Sequence, residues 1–114
     1  INLCGAFNIN GTASLIKQAS LVISHDTAVM HIASAFKKHI ISIWGNTVPE
    51  FGMYPYIPGD KSVIFEVNNL KCRPCSKIGY SKCPKKHFKC MKELDLREIV
   101  QATNRIIISR DQKD

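Results

Sequence analysis

Asp26, Thr27 and His31 stand where the apolar run Leu21-Val22-Ile23 gives way to the helix-like stretch Thr27-Ala28-Val29-Met30-His31-Ile32-Ala33. Such a strand-to-helix junction is where phosphates bind. Asp26 reads as the cap of a helix that opens at Thr27. The backbone N–H groups of Thr27, Ala28 and Val29 then lack carbonyl partners within the helix, and the helix dipole adds to their attraction for phosphate. Thr27 and His31, four apart, share one helix face, so a hydroxyl and an imidazole join the amides there. Asp26 itself suits a cap, because a carboxylate repels phosphate. A plainer reading is open beside this one: an aspartate that only caps, and a histidine hydrogen-bonded within a core.

A second constellation is Cys72-x2-Cys75-x7-Cys83-x6-Cys90. The first pair has zinc-knuckle spacing, and four thiolates could close a tetrahedral structural site around zinc. Disulfides compete with that reading, as do four free thiols packed as small hydrophobes. The fifth cysteine, Cys4, lies alone in a strand-like stretch and is expected in the core. Around the four runs a basic block from Lys71 to Lys92, with Arg73, Lys77, Lys82, Lys85, Lys86 and Lys89 between and no acid among them. Such a patch suits an anionic partner or is simply a solvated loop.

These residues need elements to position them. Leu21–Ile23 and Ile40–Trp44 have the continuous apolar character of parallel strands covered on both faces, and the helix between them completes a βαβ unit. The turn Gly45-Asn46-Thr47-Val48-Pro49-Glu50 then falls at the same sheet edge as Asp26, so both loops face one crevice. A short helix from Thr12 or Ser14 through Ala19 precedes the unit, and Ser62–Val67 reads as an outer strand. Phe51–Asp60 is a Pro/Gly loop with exposed-looking aromatics. Asp95 and Glu98 have capping-box spacing, and Leu96, Ile99, Val100, Thr103, Ile106 and Ile107 recur at helical intervals, which predicts a long amphipathic helix fraying from Ser109 to Asp114. The chain is thus expected to divide into a βαβ-type core (1–67), a basic cysteine-rich loop (68–92) and a carboxyl-terminal helix and tail (93–114).

The run from Asp26 to Glu50, with its Asp-Thr-x-x-x-His-x-Ala opening and Trp-Gly-Asn-Thr-x-Pro-Glu close, resembles the donor-binding segment of glycosyltransferase family 9, the ADP-heptose:lipopolysaccharide heptosyltransferases. Upstream, Asn2-Leu3-Cys4-Gly5 and Ser14-Leu15-Ile16-Lys17-Gln18-Ala19 are similar to the stretch leading into that site. Downstream, Cys72-Arg73-Pro74-Cys75, Cys83-Pro84 and Cys90-Met91 match a cysteine pattern that many members carry. The resemblance implies an α/β fold, a Rossmann-like parallel sheet forming part of the carboxyl-terminal, donor-binding domain of a GT-B glycosyltransferase. It also implies transfer of a heptose or related sugar, with inversion, from a nucleotide diphosphate to a lipopolysaccharide-core acceptor. Asp26, Thr27, Ala28, Val29 and His31 would bind the donor, no catalytic residue would lie in this stretch, and no metal would be required for the chemistry. Family members usually carry glycine where Ala28 stands, so a methyl group here meets the donor in place of bare backbone.

At 114 residues the chain is at most one domain, whereas the family's enzymes have two. The expectation is therefore a fragment, beginning within a strand at Ile1 and inactive alone, of a cytoplasmic enzyme with peripheral contact at the inner membrane. Hydrophobic residues make up 45%, enough for a core, and no apolar run approaches the roughly 18 residues of a membrane span. Nothing at the start has the basic-then-apolar pattern of a signal peptide. Two other classes account for parts of the chain: a non-catalytic sugar-phosphate or nucleotide-binding domain, and a zinc-stabilised basic nucleic-acid module. The second has no use for a βαβ unit, so no nucleic acid is expected as a partner.

Overall fold

The structure is a computed structural model that describes residues 1–111, with side chains described through Ser109. In chain order the elements are α1 (Ile9–Gln18), β1 (Leu21–His25), α2 (Ala28–Ala35), β2 (His39–Trp44), a 3-10 turn (Pro49–Phe51), β3 (Val63–Glu66), α3 (Lys89–Lys92) and α4 (Leu96–Asp111). The three strands form one sheet in the order β1-β2-β3, and both pairings are parallel. Leu21 pairs with His39 and His25 with Ile43, so β1 and β2 end together, while Trp44 pairs with Glu66 at the end of β3.

Alternation along β2 explains the layers. Ile40 and Trp44 face one side, where they pack with Val22, Ile16 of α1, and Met30 and Ala33 of α2. Ile41 and Ile43 face the other side, against Ile99, Ala102 and Ile106 of α4 together with Leu21 and Phe65. Side chains alternate across a strand, so a strand that is apolar throughout must be covered on both faces. Met30, Ala33, Ile40, Ile41 and Trp44 are wholly buried. Ser42, also buried, accepts a hydrogen bond from Trp44 Nε1 at 3.2 Å. The expected three-layer α/β architecture is present, with the outer strand at one edge.

Local details differ from the reading of the sequence. Residues 1–7 form no strand, and Cys4 is exposed rather than buried in a core. α1 begins earlier than Thr12, because Asn8 caps it by accepting from the Gly11 N–H at 3.0 Å. α2 begins at Ala28, and its cap is Thr27, not Asp26. On α4, Asp95 does cap, accepting from the N–H groups of Arg97 and Glu98. Its buried stripe is Ile99, Ala102 and Ile106, whereas Leu96, Val100 and Ile107 are exposed, since the sheet contacts only part of the apolar face. The helix runs to Asp111, so the expected tail is helical at its start, and the remainder, 112–114, lies outside the described residues.

Candidate functional site

β1 and β2 stop in register, and that places their following loops at one edge of the sheet. A cleft of about 330 Å³ lies there, with His25, Asp26, Ile43, Gly45, Asn46 and Thr47 on the sheet side. Its other wall comes from the cysteine-rich loop, through Ile78, Tyr80, Ser81, Phe88 and Met91. Carboxyl ends of parallel strands are where α/β folds bind ligands.

Asp26 is turned toward the neighbouring loop. Its Oδ2 accepts a hydrogen bond from Thr47 Oγ1 at 3.1 Å, and Thr47 is buried. That bond, to a residue 21 positions away, takes the place of the expected helix cap. Thr27 makes no side-chain cap bond either, for its Oγ1 sits 3.0 Å from Ser24 Oγ. The first N–H groups of α2 therefore have no side-chain acceptor, the condition in which a helix end receives an external anion. Ala28 and His31 are exposed and Val29 is half-buried. Of the five expected donor-binding residues, only Asp26 lines the cleft, while Thr27, Ala28, Val29 and His31 continue from it along the start of α2.

His25 was not among the residues singled out from the sequence, yet it lines the cleft beside Asp26. Its Nδ1 is 3.0 Å from the Ile43 carbonyl oxygen, which can only accept. In the neutral ring Nδ1 thus carries the proton, and Nε2 is left as an acceptor. The available signal was its position as the last residue of β1.

The loop wall is fastened to the sheet edge by polar bonds. The Arg73 guanidinium donates from Nε to Gly45 O, from Nη2 to Thr47 O at 2.8 Å and from Nη1 to Val67 O at 2.7 Å, and it pairs with Glu66 Oε2 at 2.9 Å. Its side chain is 5% exposed. Arg73 therefore does not belong to the surface patch in which the sequence placed it, while the seven lysines from Lys71 to Lys92 are all exposed. The Cys75 N–H donates to Asn46 O at 2.9 Å, and Asn46 Nδ2 donates to Tyr80 O at 2.8 Å. Gly79, at φ +76°, packs so closely on Asn46 that a Cβ would stand 2.5 Å from its Oδ1. Only glycine combines that backbone angle with that contact.

The four cysteines of this loop are free thiols that lie within electrostatic reach of one another. Burial pushes the Cys75 thiol up, with the neighbouring Cys72 and Cys83 adding to it. Burial likewise raises Cys90, with Cys75 the strongest of its neighbours in the same direction. Cys83 goes the other way: the Phe88 N–H above all, with those of Lys85, His87 and Lys86, holds its thiol below the ordinary range against the opposing effect of burial. Positive φ at Lys86 and Phe88 bends the backbone through this segment. His87 places Nε2 3.8 Å from Cys72 Sγ, and its Nδ1 accepts from the Lys89 N–H at 3.1 Å. Among the described residues, no three His, Cys, Asp or Glu side chains are gathered as closely as a metal ion requires.

Comparison with known proteins agrees with this architecture. Residues 1–86 match the model of glycosyltransferase family 9 (heptosyltransferase). The chain is 26% identical over 106 residues to lipooligosaccharide heptosyltransferase 2 of Campylobacter jejuni subsp. jejuni serotype O:2, covering 93% of this chain and 31% of that protein. Against the same-named protein of serotype O:6 it is 28% identical over 105 residues, covering 92% of this chain and 31% of the relative. Against that of Haemophilus influenzae it is 35% identical over 51 residues, 45% of this chain and 15% of the relative. The chain thus spans less than a third of the length of these curated relatives. No solved structure matches it.

Proposed function

We propose, for a chain that belongs to glycosyltransferase family 9, that it forms donor-binding machinery of a heptosyltransferase. The ligand is an ADP-heptose-like nucleotide-diphosphate sugar, and the acceptor, a lipopolysaccharide-core sugar, is met elsewhere in the protein. The observation that carries this reading is the shared edge: Asp26, which leads into an α2 start without a side-chain cap, and the Gly45–Thr47 turn border one cleft at the carboxyl ends of parallel strands. In this reading the N–H groups of Ala28 and Val29, with the Thr27 hydroxyl, hold diphosphate oxygens. They stabilise charge that grows on the leaving group as the glycosidic bond to the nucleotide breaks. Asp26 meets a hydroxyl of the sugar, and His31, one turn along α2, adds a donor at the outer side. A helix terminus with nearby cations fills the role that a divalent ion fills in other transferases, so the chemistry needs no metal.

The test begins with amide spectra of the labelled chain. ADP-heptose should shift the signals of Thr27 to Met30, while the isolated chain should show no transfer; turnover by it alone would refute the division of labour. In the full-length enzyme, Asp26→Ala or His31→Ala should lower transfer by about 10-fold to 100-fold. Wild-type rates in both variants would reduce these residues to scaffold. Cytoplasmic placement with peripheral contact at the inner membrane accompanies the reading, the exposed lysines of 71–92 meeting anionic headgroups. Among the described residues no helix is long and apolar enough to cross a membrane.

The cysteine loop receives a proposal of its own: Cys72, Cys75, Cys83 and Cys90 take up a structural zinc ion that orders the cleft wall. The donor set favours it, since amide N–H groups gather at the Cys83 sulfur and suit a thiolate. Uptake must draw the four sulfurs closer than they stand. Metal analysis should find about one zinc per chain, and chelation should loosen residues 71–92 while sparing the βαβ unit. A zinc-free chain with an ordered loop would remove zinc from the account.

A further inference from the structure

We infer that Thr47 and Arg73 are positioning residues for Asp26, fixing its carboxylate so that one oxygen is held and the other is presented to a sugar hydroxyl in the cleft. The inference deepens the donor-binding reading and rests on it. Its ground is a continuous set of hydrogen bonds. Thr47 Oγ1 donates to Asp26 Oδ2 at 3.1 Å, and the Thr47 carbonyl accepts from Arg73 Nη2 at 2.8 Å. Of the turn's other two carbonyls, Gly45 O accepts from Arg73 Nε and Asn46 O from the Cys75 N–H at 2.9 Å. All three consecutive carbonyls of the turn are therefore held by residues 73 and 75.

The guanidinium is anchored in turn at the end of β3, through Val67 O and Glu66 Oε2. Arginine suits this place because its planar fork reaches several acceptors at fixed angles, which an ammonium cannot do. A turn held at every carbonyl cannot rotate its peptides, so the Thr47 hydroxyl stays aimed at Asp26. A hydroxyl donor spends one carboxylate oxygen and leaves Oδ1 to accept from a ligand. A sugar offers such donors; a free diphosphate is repelled by the same charge. The device should therefore act on the sugar end of the donor and leave the nucleotide end alone.

The test compares binding of ADP and ADP-heptose to the native protein and to five variants. Asp26→Asn and Thr47→Val should each weaken ADP-heptose binding relative to ADP about 10-fold, Thr47→Val doing so with ADP binding unchanged because the Asp26 charge is kept, and Thr47→Ser should restore the wild-type value. Combining Asp26→Asn with Thr47→Val should add little, since both act through one contact. Arg73→Lys should give the same sugar-selective loss. Wild-type ADP-heptose binding by Thr47→Val, or equal loss for ADP and ADP-heptose, overturns the positioning role. Wild-type binding by Arg73→Lys removes Arg73 from it. Wild-type binding by Asp26→Asn instead overturns the donor-binding reading beneath it, and so the two failures are told apart.

Discussion

The βαβ core and the cysteine loop supply the two walls of the cleft, yet they are held by opposite kinds of interaction. In the core, Met30, Ala33, Ile40, Ile41 and Trp44 are wholly buried, whereas Cys90 is the only buried apolar residue between Asn68 and Lys92. What the loop lacks in apolar area it makes up in a few polar bonds at Arg73, Cys75, Asn46 and Tyr80. Apolar burial is spread over many small contacts and degrades by degrees. A guanidinium that serves several carbonyls is a single point of attachment, and losing it strands all its partners together.

The contrast can be broken or sharpened by substitution. Trp44→Ala should have the largest effect, about 3–5 kcal/mol, seen as a lowered denaturant midpoint for the whole protein. Arg73→Met should cost less, about 2 kcal/mol, because Glu66 keeps some contact with water when its partner goes. Hydrogen exchange should then speed up across 68–92 and stay slow in β1 and β2. Equal loss of protection in both regions would show that core and loop form one cooperative unit, and the comparison would fail. The smallest effect is chemical rather than energetic. In metal-free protein, Cys83 should be alkylated first as pH is raised from acid, because a lowered thiol pKa leaves thiolate at a pH where Cys75 and Cys90 are still protonated. Mass spectrometry of the labelled sites gives the order. Cys75 or Cys90 reacting ahead of Cys83 would contradict the amide cage around its sulfur.

How far the sequence could be read follows the same divide. Strands β1 and β2, their parallel pairing and the common edge of the Asp26 and Gly45 loops were legible, because apolar runs flanking an amphipathic helix admit few other arrangements. The cap of α2 was not. Asp before a helix ordinarily caps, and nothing local reveals that Thr47, 21 residues on, would bond Asp26 instead. α1 was begun too late because Gly11 weakens a helical pattern, although Asn8 caps across it. Charge alone does not separate Arg73 from the lysines around it; the signal is that it is the sole arginine in a stretch otherwise basic through lysine. His25 was not legible because β1 runs two polar residues past its apolar part. Patterns of apolar residues were readable, and individual polar contacts, near or far in sequence, were not.

The acceptors of Arg73 lie at the ends of two strands, Gly45 and Thr47 just beyond β2, Glu66 and Val67 at β3. They converge only once those strands have paired, so the guanidinium can find its seat only on a sheet already assembled. Bonds made on an assembled sheet add to the native state rather than to the folding nucleus, so their loss is expected to leave the folding rate nearly unchanged while hastening unfolding. The wall of the cleft is thus the last part of this segment to arrive and the first to leave. A nascent chain would acquire its stable core before it acquires a finished binding edge.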